Sequence, residues 1–126
     1  MSDATLALQR AISDACDRSR DDSTDLVSSV QVPKGDFAVQ TLEIPRNSRV
    51  LIFSKDQVRL LYVGKRNRPL FVLQDNSALL LKEKLEIYYN TNNIRDASKF
   101  MIRFPEGSRV EISPQVKISF FSQKIE

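Results

Sequence analysis

A segment of eleven residues recurs three times along this chain, and its spacing constrains the fold more than any other feature. Each copy has two alternating apolar residues, a polar turn that ends in Ser, and two further alternating apolar residues. The copies are residues 42–52, 71–81 and 102–112, and the Ser residues at 48, 77 and 108 lie 29 and 31 residues apart. A near-constant period of this length is typical of stacked repeat architectures.

A second alternating apolar segment follows each copy and adds another strand to the repeat. These segments begin at Val58, Leu85 and Val116, which lie 10, 8 and 8 residues after the preceding Ser. Three short strands with no helix between them suit one rung of a solenoid, in which equivalent strands pair in parallel. The alignment then predicts four columns of stacked side chains: Leu42, Phe71 and Ile102; Ile44, Leu73 and Phe104; Val50, Leu79 and Val110; and Ile52, Leu81 and Ile112.

The turns of the three copies carry residues that accept a left-handed backbone. Asn47, Asn76 and Gly107 occupy the same position, and stacked Asn side chains can bond to one another. The competing fold is an antiparallel sandwich, which also has many short strands. Few two-residue hairpin signals occur, and this disfavours the sandwich.

The amino-terminal segment has helical rather than strand periodicity. Its apolar residues lie on one face, and Asp3 or Thr5 is suited to cap the helix. We predict one amphipathic helix of about four turns, followed by a linker from Ser19 to Asp25. The whole chain, 1–126, is then a single domain with a capping helix and linker at 1–25 and strands at 26–126. The residues of the apolar face are Leu8, Ala11, Ile12, Ala15 and Cys16.

Composition excludes several classes of site. The chain has one Cys and no His, so it can form no internal disulfide, no His-based triad and no zinc site of the Cys/His type. No secretory signal or membrane span is visible, so a cytoplasmic location is the default expectation. Residues 1–45 hold four basic and eight acidic residues, a net charge of −4, and residues 46–126 hold fifteen basic and eight acidic, a net charge of +7.

The order of helix, Val-rich strand, Pro-Lys-Gly turn at 33–35 and repeated segment resembles the beginning of the right-handed parallel β-helix of the pectate-lyase-like superfamily. The resemblance covers most of the chain. It implies an all-β fold with one N-terminal helix, in which a short β-solenoid of about three to four rungs is capped by that helix. So few rungs would make this a miniature or truncated member.

Enzymatic members of the superfamily cleave or modify acidic polysaccharides. Those that hydrolyse use clustered Asp residues with a His-containing motif, and those that eliminate use acidic calcium ligands. No functional residue can be carried over to this sequence, because His is absent and Asp56, Asp75 and Asp96 are isolated from one another. We therefore expect no catalysis, no metal and no cofactor.

A basic segment is the best candidate for ligand binding. Its cationic side chains and one aromatic ring could hold the acidic groups of a polysaccharide, and a solvated surface turn explains the same composition. Nucleic acid is the least favoured partner, because a net charge of +3 is small for such a protein. The candidate residues are Lys55, Arg59, Tyr62, Lys65, Arg66 and Arg68.

The carboxyl-terminal apolar strand predicts an interface. A final rung without a cap exposes unpaired backbone groups and the ends of the core columns. We therefore expect a noncatalytic structural or interaction module that forms a homo-oligomer or a larger assembly through this rung, or that continues into further chain. The predicted interface residues are Val116, Ile118, Phe120, Phe121 and Ile125.

Overall fold

The computed structural model describes residues 2–21, 27–64, 68–90 and 101–121. This part of the chain contains one helix and ten strands, so the predicted all-β fold with an amino-terminal helix is confirmed. The elements are β1 (Ser2–Asp3), α1 (Thr5–Asp21), β2 (Ser28–Gln31), β3 (Gly35–Val39), β4 (Leu42–Ile44), β5 (Arg49–Tyr62), β6 (Phe71–Leu73), β7 (Ala78–Asn90), β8 (Ile102–Arg103), β9 (Arg109–Ile112) and β10 (Lys117–Phe121).

Helix α1 begins where the sequence predicts and extends further than predicted. The Asp3 carboxylate accepts a hydrogen bond of 2.9 Å from the backbone N–H of Thr5 and satisfies a free donor of the first turn. The predicted linker at 19–25 is wrong in its first part, because the helix continues through Asp21. The chain has no Pro or Gly there to stop it. Residues 22–26 lie outside the described residues.

The apolar face of α1 packs against β2, β4 and β5. Leu8, Ile12, Ala15 and Cys16 are all buried in the main core cluster, as the helical spacing predicts. The Gln9 side chain also bonds to the backbone of Glu43 in both directions, at 2.8 and 3.0 Å. The helix therefore covers the first strands of the repeats.

The strands form parallel sheets. Among the described residues, one sheet has seven strands, in the order β1-β3-β5-β7-β10 with β2 on β5 and β9 on β7, and the other has the order β4-β6-β8. Every strand pairing is parallel, so the antiparallel sandwich is wrong. Equivalent strands of successive repeats pair with each other, as the period predicts.

The register agrees with the predicted columns at all positions but one. Phe104 is the exception, because it lies beyond the end of β8 and is 51% exposed. The remaining side chains of the third copy are less buried than those of the first two, since β8 and β9 have a neighbouring strand on only one side among the described residues. The observed pairs are Leu42–Phe71–Ile102, Ile44–Leu73, Val50–Leu79–Val110 and Ile52–Leu81–Ile112.

The longer spacing in the first repeat has a local cause. Between Ser54 and Val58 strand β5 has three residues, whereas the paired positions Glu83 and Leu85 of β7 enclose one, and the register shifts here. The Ser54 side chain is buried and its hydroxyl donates to the carbonyl oxygen of Asp56. Two additional residues in β5 therefore explain the offset of 10 in place of 8.

The turns that precede β5, β7 and β9 have the predicted backbone. Asn47, Asn76 and Gly107 have φ angles of 56°, 54° and 89°. The Asn76 Nδ2 donates a hydrogen bond of 2.9 Å to Asn47 Oδ1, so the side-chain amides join the first two turns of neighbouring repeats. Asn tolerates this conformation better than other residues with a Cβ, which explains its recurrence.

Candidate functional site

Three strands of the third repeat, β8, β9 and β10, have one open side within the described part of the chain. β8 pairs with β6, and both β9 and β10 pair with β7; within residues 2–21, 27–64, 68–90 and 101–121 no strand pairs with the outer side of these three strands. We call the outer sides of β8, β9 and β10 the terminal edge. Unpaired N–H and C=O groups on such an edge can bond to another strand.

Apolar side chains accompany the unpaired backbone at the terminal edge. Phe104 is 51% exposed and Ile112 is 40% exposed, although both are large and apolar. Ile102, Val110 and Ile118 are half-buried, whereas their strand partners in the preceding repeat are fully buried. The core columns therefore extend to the surface at this end.

The predicted interface residues are only partly located at this edge. Val116 is buried and Ile118 is half-buried. Phe120 and Phe121 belong to β10, but the structure describes only their backbone, and Ile125 lies outside the described residues. Sequence reasoning missed Phe104 and Ile112 as interface residues, because both were assigned to core columns through the third copy of the repeat.

A shallow groove of about 400 Å³ adjoins Phe104 at the terminal edge. It lies between the ends of β6 and β8. Its apolar part extends the exposed surface around Phe104 onto the preceding repeat. The lining residues are Val72, Leu73, Gln74, Asp75, Arg103, Phe104 and Pro105.

The structure describes four of the six residues of the predicted basic site, and one of them, Tyr62, is not on the surface. Tyr62 is buried, and its ring stacks on that of Tyr89 with centroids 4.8 Å apart and planes 9° apart. The ring is therefore not available to stack on a ligand, and this part of the prediction is corrected. Lys55 and Arg68 are exposed, and Lys65 and Arg66 lie outside the described residues.

Arg59 belongs to a row of alternating charges that crosses four strands. In register, Asp36 lies beside Arg59, Arg59 beside Glu86, and Glu86 beside Lys117. The Arg59 Nε lies 3.4 Å from Glu86 Oε2 and 4.0 Å from Asp36 Oδ1. Hydrogen bonds from the Tyr88 hydroxyl and the Gln57 amide, with the nearby charges of Arg59 and Lys117, lower the pKa of Glu86.

An open groove of about 460 Å³ lies beside this row and was not predicted. Three lysines from separate segments line it together with two carboxylates and two amides. The repeat alignment could have indicated that two of these lysines lie close together. Lys84 directly precedes Leu85 and Lys117 directly follows Val116, and Leu85 and Val116 occupy equivalent positions in the repeat. The lining residues are Lys34, Asp56, Gln57, Lys84, Leu85, Glu86, Gln115 and Lys117.

Two features are absent from residues 2–21, 27–64, 68–90 and 101–121. No three or more carboxylate or thiol side chains converge there as they would in a metal site. No helix there is long and apolar enough to cross a membrane.

All three tyrosines of the chain have raised pKa values. Burial and the neighbouring Tyr62 raise the pKa of Tyr89 to about 12, and burial raises that of Tyr62. The pKa of Tyr88 is raised by the hydrogen bond of 3.0 Å that its hydroxyl donates to Glu86.

Because the unfolded chain releases the Tyr89 proton near pH 10 and the folded chain near pH 12, we expect stability to fall as pH rises through this interval. The loss due to Tyr89 should approach about 1.4 kcal/mol per pH unit. Below about pH 10 the tyrosines should not alter stability. Tyrosinate absorbance followed with and without urea checks this, and any tyrosine that ionises at its ordinary pKa in the folded protein contradicts it. Tyr89→Phe should reduce the alkaline loss.

Comparison of the chain with protein-family models, with curated proteins and with solved structures finds no match. Function must therefore be inferred from the geometry of this chain. Two surfaces qualify as candidates: the terminal edge, with open backbone and exposed apolar side chains, and the lysine-lined groove. They lead to different functions.

Proposed function

We propose that this chain is a noncatalytic interaction module, built as a short right-handed parallel β-helix that self-associates through the terminal edge. Parallel pairing of equivalent strands across repeats of 29 and 31 residues supports a coil with one repeat per rung. Connections between parallel strands of one sheet are right-handed in nearly all proteins, which supports the proposed hand.

The open terminal edge is the observation that carries this proposal. It combines strand backbone that no other described residue pairs with and the exposed side chains of Phe104 and Ile112. Either feature alone favours association, and together they match the way in which extended segments add to a sheet. A second copy of the chain presents the same surface and so supplies both complementary backbone and apolar contact.

The position of α1 limits the size of the proposed assembly. The helix packs on β2, β4 and β5, so it covers the side of the repeats away from the terminal edge. A head-to-tail stack would require that covered side to be free. Pairing of two terminal edges by a two-fold axis uses each open surface once and closes, so the expected species is a dimer.

Self-association should respond to charge at the exposed apolar residues. We expect wild-type protein to sediment as a dimer and the Phe104→Glu/Ile112→Glu variant as a monomer, with the dissociation constant raised at least about tenfold, since charges would be buried in the interface. Leu6→Glu is the matched control, because Leu6 is 64% exposed on α1, away from the terminal edge. Its dimer should be unchanged. Wild-type protein that stays monomeric at about 1 mM would refute self-association.

The groove favours a second candidate function, the binding of an acidic polysaccharide. Lys34, Lys84 and Lys117 come from three segments to one open surface, and their ammonium groups suit carboxylate or sulfate ligands. Polygalacturonate is the probe, and Lys84→Ala/Lys117→Ala should weaken its binding at low salt at least about tenfold. Lys82→Ala, an exposed lysine of β7 outside the groove, is the control. Equal binding by both variants excludes the groove.

A further inference from the structure

Strand β9 differs from the other strands of the terminal edge in carrying both signs of charge. Arg109 and Glu111 lie on one face of the strand, with exposed side-chain fractions of 75% and 55%, and Arg109 Nη1 lies 3.8 Å from Glu111 Oε1. The half-buried Val110 lies between them on the opposite face. By contrast, the charged residues of β8 and β10 are the cations Arg103 and Lys117.

Two-fold symmetry restricts how two copies of β9 can pair. An axis perpendicular to the sheet makes the strands antiparallel and keeps each residue opposite one that points to the same face. The axis must therefore pass beside one residue of β9, the centre, which then lies opposite its own copy. Within the strand the centre can be Val110 or Glu111, and at the start of the strand it can be Arg109. A centre at Arg109 opposes two arginines and a centre at Glu111 opposes two glutamates, whereas like charges directly opposite are unfavourable.

Only a centre at Val110 makes the charges complementary. Arg109 then lies opposite Glu111 of the partner subunit, and the symmetry repeats this pair on the other side of the axis. We propose that two copies of the chain pair antiparallel through β9 in this register. The proposal rests on the self-association proposed above and specifies which strand is at the axis and which side chains select the register.

A charge-swap experiment tests the register. In Arg109→Glu two glutamates would face each other at both positions, and in Glu111→Arg two arginines would do so, so each variant alone should dimerise at least about tenfold more weakly. Mixed in equal amounts, the two variants should form a heterodimer, because both pairs regain opposite charges. The double variant Arg109→Glu/Glu111→Arg should recover the homodimer. Sedimentation at low salt and native mass spectrometry measure these species.

The controls separate this proposal from the one on which it rests. Arg10→Glu reverses an exposed cation of α1, away from the terminal edge, and should leave the dissociation constant within about twofold. A wild-type dimer that both single reversals leave intact, or single variants that do not combine when mixed, would overturn the Val110-centred register but not self-association. Wild-type protein that is monomeric would overturn both. Circular dichroism confirms that each variant is folded, as expected for exposed positions.

Discussion

Phe71→Ala is expected to lower the free energy of unfolding by about 3–5 kcal/mol. Phe71 has no exposed surface and lies on the middle strand of the sheet formed by β4, β6 and β8. It is paired with Leu42 on one side and Ile102 on the other, so truncation leaves a cavity between two occupied positions. Urea unfolding followed by circular dichroism measures the loss.

Ile102→Ala is the matched control for this cavity. Ile102 belongs to the same column but lies on β8 at the terminal edge and is half-buried. It should lose about half as much stability as Phe71→Ala, because less apolar area returns to water. Equal losses would show that the column continues beyond β8. This result is expected if another chain already covers the terminal edge. The measurement is made at protein concentrations below the dimer dissociation constant, so that the unfolding of the monomer alone is compared.

The repeat made the core predictable for a physical reason. In parallel strands a fixed residue spacing fixes the register, so Leu42, Phe71 and Ile102 could be placed beside one another from sequence. The turn residues Asn47 and Asn76 were also predictable, because few residues adopt their positive φ. Both predictions succeeded because the residue spacing and the turn conformation are the same in successive repeats.

The candidate sites were less predictable, because residues adjacent in sequence point to opposite faces of a strand. Arg59 and Tyr62 lie three residues apart in a basic segment, yet Arg59 points outward into the charge row while Tyr62 points into the core. Applying the strand period to the whole segment would have separated them. Phe104 was misplaced for another reason: β8 ends at Arg103, so Phe104 lies beyond the strand and its side chain is exposed.

Ile12→Asp is the second change with a large expected effect. Ile12 has no exposed surface and lies at the centre of the face by which α1 packs on the strands. A carboxylate without a partner there should destabilise the protein by about 4 kcal/mol or more and release the helix from the sheets. The repeats would then be open at both ends, so that the terminal edge of one copy can meet the uncovered side of another. Contacts of this head-to-tail kind do not close.

We therefore expect Ile12→Asp to convert a dimer into species that grow with concentration, as measured by sedimentation velocity. Leu6→Asp is the control, since Leu6 lies on the exposed side of the same helix and its change should leave a dimer of wild-type stability. Ile12→Ala, with an expected loss of about 2–5 kcal/mol, provides a milder variant in which the strands stay folded. If the helix undocks in either Ile12 variant while the protein remains a dimer, then the packing of α1 on the repeats is not what prevents assemblies larger than a dimer. In that case closure must come from the shape of the terminal edge itself.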